Sequence, residues 1–130
     1  MTLGTNSVID LSGLRILVVE DMLLVAEAIA DLLQSCGCEV VGPVSRVQRA
    51  LSLAREAALD GAVLDVNLAG EFSFPVATAL DERRIPFVFL TGYDDASVFP
   101  PHFRATPQLG KPFDNDELAN LLTRHFRRRA

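Results

Sequence analysis

What this sequence lacks narrows its function first. No apolar run approaches the length of a membrane-spanning helix, and the first residues carry no positive leader with an apolar core. The expectation is a cytoplasmic protein without a membrane partner. Its two cysteines, Cys36 and Cys38, form a Cys-x-Cys pair with no second cluster and no nearby histidine. Zinc-ligand spacing and a redox Cys-x-x-Cys are therefore both missing, and inert packing in a reducing compartment is the expected role. Positive charge is also scarce: 12 Lys and Arg face 17 Asp and Glu, for a net charge of -5. Phosphate backbones need a basic face that releases counterions, so no nucleic-acid partner is expected. The one basic run, Arg127-Arg128-Arg129, suits the negative end of a terminal helix. Neither an internal repeat nor a low-complexity tract is present.

What remains is an ordinary globular composition, 49% apolar and 22% charged over 130 residues, enough for one domain with a real core. Residues 1–13, with Gly4, Asn6, Ser7, Ser12 and Gly13, read as a loose leader; residues 14–130 read as the domain, with no sequence left for a second one. Arg15 to Val19 is a buried strand by its β-branched run, ending on Glu20-Asp21. A helix from Met22 follows, with Leu23, Leu24, Ala26, Ile29, Ala30, Leu32 and Leu33 on its covered face and Gly37 as its left-handed cap. Glu39 to Pro43 is a second strand, and Ser45 is placed to cap a helix with Val47, Ala50, Leu51, Ala54 and Ala58 inward. Ala62-Val63-Leu64, bounded by Gly61 and closed by Asp65, is a strand apolar on both faces, as in a parallel sheet.

A loop from Asn67 to Glu71 leads to a helix from about Phe74 to Arg83, with Pro75 in its first turn. Pro86 to Leu90 is a fourth strand, ending on Thr91-Gly92. Pro100-Pro101 breaks the next segment, Tyr93 to Arg104, which is expected to be short or irregular. Thr106 to Leu109 is a weak strand, placed at a sheet edge by Pro107, and it runs into Gly110-Lys111-Pro112. Asp114 or Asn115 caps a last helix carrying Leu118, Leu121, Leu122 and Phe126. Strands alternating with helical segments predict a doubly wound α/β fold with a parallel sheet.

In such a sheet Glu20, Asp21, Asp65, Thr91 and Lys111 all fall at or just past carboxyl ends of strands, the edge where chemistry is placed. Three carboxylates this close repel one another unless a cation intervenes, and magnesium suits a few carboxylates plus phosphate oxygens best. A lysine and a hydroxyl beside them are donors for a phosphoryl group. No histidine, serine or cysteine has nucleophilic spacing here, which leaves a carboxylate as acceptor, with Asp65 as the candidate.

Through Val19-Glu20-Asp21, Asp65, Thr91 and Lys111-Pro112 the chain resembles bacterial two-component response regulator receiver domains over residues 14 to about 126. The resemblance implies a flavodoxin-like fold: a doubly wound five-stranded parallel sheet in the order 2-1-3-4-5 with helices on both faces. It implies that Asp65 accepts a phosphoryl group from a phosphohistidine of a histidine kinase or phosphotransfer protein. Magnesium would be held by Asp21, Asp65 and the backbone carbonyl of Asn67, with Glu20 bound through water. Lys111 and Thr91 would take the phosphoryl oxygens, the Lys111-Pro112 bond would be cis, and a downstream protein would read the change.

The stretch Pro86-Phe87-Val88-Phe89-Leu90-Thr91-Gly92-Tyr93 resembles a narrower, often free-standing subgroup with a Pro-Phe-x-Phe-x-Thr-Gly-Tyr signature. The chain departs from the wider family at Gln108, where most receivers carry an aromatic residue, and Tyr93 is the ring expected to act instead. The resulting expectation is a stand-alone switch, a monomer or weak dimer, not a turnover enzyme. The competing readings are a phosphate sink or shuttle, a phosphatase of the haloacid-dehalogenase type, and a DNA-binding regulator resting only on the terminal arginines. The phosphatase chemistry needs an acid two residues beyond Asp65, where Asn67 stands.

Overall fold

The structure, a computed structural model, describes residues 11–92 and 95–126. Tyr93, the arginine run from Arg127 and the first ten residues of the expected leader lie outside the described residues. The elements in chain order are β1 (Arg15–Val19), α1 (Leu23–Ser35), β2 (Glu39–Val44), α2 (Val47–Glu56) and β3 (Gly61–Asp65). A small hairpin follows, β4 (Asn67–Leu68) and β5 (Glu71–Phe72), then α3 (Phe74–Glu82) and β6 (Phe87–Thr91). Two 3-10 turns, Asp95–Val98 and Pro101–Phe103, precede β7 (Gln108–Gly110) and α4 (Asn115–His125).

Five strands form one sheet in the order β2-β1-β3-β6-β7, and every pairing in it is parallel. Counting only these five, the order is the doubly wound 2-1-3-4-5. Because successive residues of a strand face opposite sides, the sheet supports two cores. Leu17, Val19, Leu64, Phe87 and Phe89 pack with α2 and α3, while Ile16, Val18, Val63, Val88 and Leu90 pack with α1 and α4. That is why β1, β3 and β6 read as unbroken apolar runs.

Local chemistry sets the ends of the elements. Gly37 follows α1 with φ +89, and a Cβ there would meet the Ser12 hydroxyl oxygen at 2.6 Å, so only glycine fits. Asp114 and Glu117 close a reciprocal capping box on α4: the Glu117 amide donates to Asp114 Oδ1 at 2.8 Å and the Asp114 amide to Glu117 Oε1 at 3.0 Å. Leu11 is buried among Leu14, Ile29 and Leu33, and its carbonyl accepts the Leu14 amide at 3.2 Å.

Four expectations are corrected. Leu23 and Leu24 are 70% and 80% exposed, because the covered stripe of α1 is Ala26, Ile29 and Leu33 and its first turn lies past the carboxyl edge of the sheet. Ser45 does not cap α2: the helix starts one residue later, so the cap position falls on Arg46, whose side chain offers no oxygen. Ala58 lies beyond the end of α2 at Glu56. The expected loop from Asn67 to Glu71 is the β4–β5 hairpin, turned by Ala69 and Gly70 at φ 51 and 95. Residues 95–104 hold only the two short 3-10 turns, as expected of an irregular segment, and β7 is the short edge strand.

Candidate functional site

Parallel pairing brings the carboxyl ends of β1, β3, β6 and β7 to one edge. Asp65, the last residue of β3, pairs with Leu90, so Thr91 stands one residue further along β6. The Lys111 amide donates to the Thr91 carbonyl at 2.8 Å, which fixes the lysine beside the threonine, and the Lys111-Pro112 bond is cis. On the other side, the Glu20 amide donates to the Val44 carbonyl at 3.0 Å, and Glu20 Oε2 accepts the Met22 amide at 3.1 Å. Backbone hydrogen bonds thus anchor both walls of the crevice.

Lys111, the one lysine in the sequence, reaches into the crevice. Its Nζ lies 2.9 Å from Asp65 Oδ2 and 2.7 Å from Glu20 Oε1. Only the first contact has hydrogen-bond geometry; the second is an ion pair, and among the described residues Glu20 Oε1 has no hydrogen-bond partner. Glu20 and Asp65 are only 2% and 4% exposed, whereas Asp21 faces solvent. One carboxylate oxygen from each of Glu20, Asp21 and Asp65 lies within 4.8 Å of the others.

The charge state follows from this crowding. Burial, reinforced by the Glu20 carboxylate, pushes the Asp65 carboxyl up to about 7 against the opposing pull of Lys111. Burial alone would lower the Lys111 ammonium, but the two carboxylates outweigh it and hold its pKa above the usual lysine value. When Asp65 is ionised, three carboxylates face one ammonium and two negative charges are left uncompensated. The donors are all hard oxygens, one of them buried without a hydrogen bond, and one carboxylate opens to water. A hard divalent cation fits that set.

The structure therefore brings Glu20, Asp21, Asp65 and Lys111 together and sets Thr91 beside them. Asn67 is exposed on β4, with its side-chain oxygen accepting the Gly70 amide at 2.8 Å across the hairpin turn. Gln108 is exposed as well, and its Nε2 donates to the Arg104 carbonyl at 3.2 Å. Sequence reasoning missed two walls of the crevice: an apolar groove of Met22, Leu24, Val25, Ala28, Pro112 and Phe113 beside Lys111, and a polar cleft between Ser45-Arg46 and the hairpin beside Asp21. Strands of two residues are too short to show alternation, so the hairpin carried no signal except Gly70.

Comparison with known proteins agrees with this geometry. Residues 16–123 match the family described as "Response regulator receiver domain". The sensory transduction protein LytT of Bacillus subtilis is 30% identical over 115 residues, 86% of this chain and 48% of its own length. The chain spans about half the length of the curated relatives it matches. SdrG of Sphingomonas melonis Fr1 superposes with a TM-score of 0.75 at 44% identity, covering 85% of this chain and 93% of its own. The receiver domain of a sensor histidine kinase from Pseudomonas aeruginosa, solved with a magnesium ion coordinated in its active-site cleft, superposes at 0.69 with 26% identity over 87% of this chain and 97% of its own.

Proposed function

The chain belongs to the response regulator receiver domain family of two-component signalling, and from that premise we propose that Asp65 takes up a phosphoryl group from a phosphohistidine. The donor is a histidine kinase or a phosphotransfer protein. One Asp65 oxygen attacks phosphorus in line with the donor nitrogen; the O–P bond forms, the N–P bond breaks, and its electron pair returns to the imidazole, which takes a proton. The product is an acyl phosphate.

The observation that carries this reading is the Lys111 ammonium held at 2.9 Å from a buried, strand-terminal Asp65 with Glu20 and Asp21 beside it. A carboxyl group held near 7 is only partly ionised at neutral pH, and its protonated fraction is a poor nucleophile. Positive charge at the carboxylate cluster returns it to the ionised form. Glu20, Asp21 and Asp65, with the backbone carbonyl of Asn67, would hold a magnesium ion, which neutralises phosphoryl oxygens when bound. Lys111 donates to a second phosphoryl oxygen, and the Thr91 hydroxyl to a third.

Phosphorylation then shifts the balance between two conformations, and the difference in their affinities for a downstream protein is the signal. The phosphatase alternative is not favoured. The Asn67 side chain cannot serve as an acid, and it is already committed to the Gly70 amide.

The test is intact-mass measurement after incubation with magnesium and acetyl phosphate or a phosphorylated kinase. Wild type is expected to gain one phosphoryl group and Asp65→Asn none. No gain in wild type with any donor, or an equal gain in the variant, would refute the assignment.

A further inference from the structure

Two limbs of chain leave the crevice on the same side. From Asp65 the chain enters the β4–β5 hairpin and then α3; from Thr91 it continues toward the two 3-10 turns. Between the limbs lies a cluster of phenylalanines. Phe72, at the end of the hairpin, has its ring 5.7 Å from Phe74, the first residue of α3. Phe74 in turn lies 5.4 Å from Phe99, 5.8 Å from Phe89 and 6.1 Å from Phe103. Phe99 and Phe103 are buried, and each touches Phe89 as well, at 5.1 and 5.8 Å. Alternation along β6 puts Thr91 on the same side of that strand as Phe87 and Phe89.

We propose that the Phe74-centred aromatic cluster is a mechanical relay: it couples the state of Asp65 to the conformation of residues 95–104. The proposal rests on the phosphorylation reading above. Interiors packed at crystal density do not deform smoothly, so moving one ring obliges its neighbours to repack. Phe74 is the shared member, touching the hairpin ring, the β6 ring and both rings that anchor the 3-10 turns.

Phe72, 41% exposed, is the ring with freedom to move. It ends a hairpin that begins two residues after Asp65, so a shift in that backbone reaches it directly. The far end of the responding segment is tethered, because Gln108 Nε2 holds the Arg104 carbonyl. That bond ties the end of the segment to the first residue of β7.

The experiment records backbone amide shifts of uniformly labelled protein before and after magnesium and acetyl phosphate, with intact mass measured in parallel. In Phe74→Leu, phosphoryl uptake and the shift changes at Glu20, Asp65 and Lys111 are expected to match wild type. The changes across 95–104 should be at least about twofold smaller, since the linking contacts are gone. Phe72→Ala, a substitution at a half-exposed ring that leaves the buried cluster in place, should reduce them in the same direction and guards against misfolding of the first variant. Undiminished changes in 95–104 in either folded variant would overturn the relay. So would uptake lost in the variants but present in wild type, which would make the rings part of the acceptor site. No uptake in wild type would instead remove the premise.

Discussion

The two flanks of the crevice are built from opposite materials. On one, the start of α1 with Pro112 and Phe113 presents Met22, Leu23 and Leu24 to solvent, and these side chains contribute little to folding. On the other, Phe74, Phe89, Phe99 and Phe103 interlock beneath the hairpin and the 3-10 turns. Both stretches are strongly apolar in the sequence, so hydrophobicity alone does not tell them apart. What separates them is whether a strand runs underneath. The aromatic flank overlies β6, whereas the aliphatic one extends past the end of β1.

The contrast is sharpest in stability. Phe89→Ala removes a fully buried ring from the centre of the aromatic flank and should destabilise the fold by about 3–5 kcal/mol in urea unfolding. A loss comparable to a surface substitution would show the cluster to be loosely packed.

The second expectation concerns the crevice between the flanks. Because the Asp65 carboxyl is raised from 3.8 to about 7 in the fold, folding favours its protonated form. That stabilisation is complete below about pH 4, is lost as pH climbs toward 7, and is absent above it. In chelator, Asp65→Asn should therefore gain on wild type by about 1–2 kcal/mol between pH 4.5 and pH 8, a figure discounted for water at the mouth of the crevice. A pH-independent difference in melting would contradict the charge assignment.

At the root of the aliphatic flank, Asp114→Ala breaks the capping box of α4 and should cost about 1 kcal/mol of unfolding free energy. Smallest of all, Leu24→Ser should change stability by no more than about 0.5 kcal/mol, despite deleting a large apolar side chain. A cost several times greater would mean that the aliphatic flank is folded against something after all.

Most of the scaffold was legible because its signals are local. The runs Ile16 to Val19 and Phe87 to Leu90 are apolar on both faces, and Gly37 and Asp114 mark a helix end and a helix start by their own chemistry. The site was legible for a topological reason: once the sheet is parallel, residues that follow strands must share an edge, so Glu20, Asp65 and Lys111 could be grouped without knowing a distance. Leu23, Leu24 and the hairpin were not legible. Their environments depend on where the sheet stops and on a turn in which Ala69, not a typical turn residue, takes a positive φ. The aromatic cluster was hidden for the same reason, since Phe72, Phe74 and Phe99 meet only in three dimensions.

Lys111 has a further use. As the one side-chain amine in the sequence, it lets a reagent selective for amines, such as isotopically enriched formaldehyde with a mild reductant, install a dimethylamine reporter beside Asp65. The resonance of that tag would change as the crevice gains or loses positive charge. Titration and ion loading could then be followed at that side chain, with no mutation introduced.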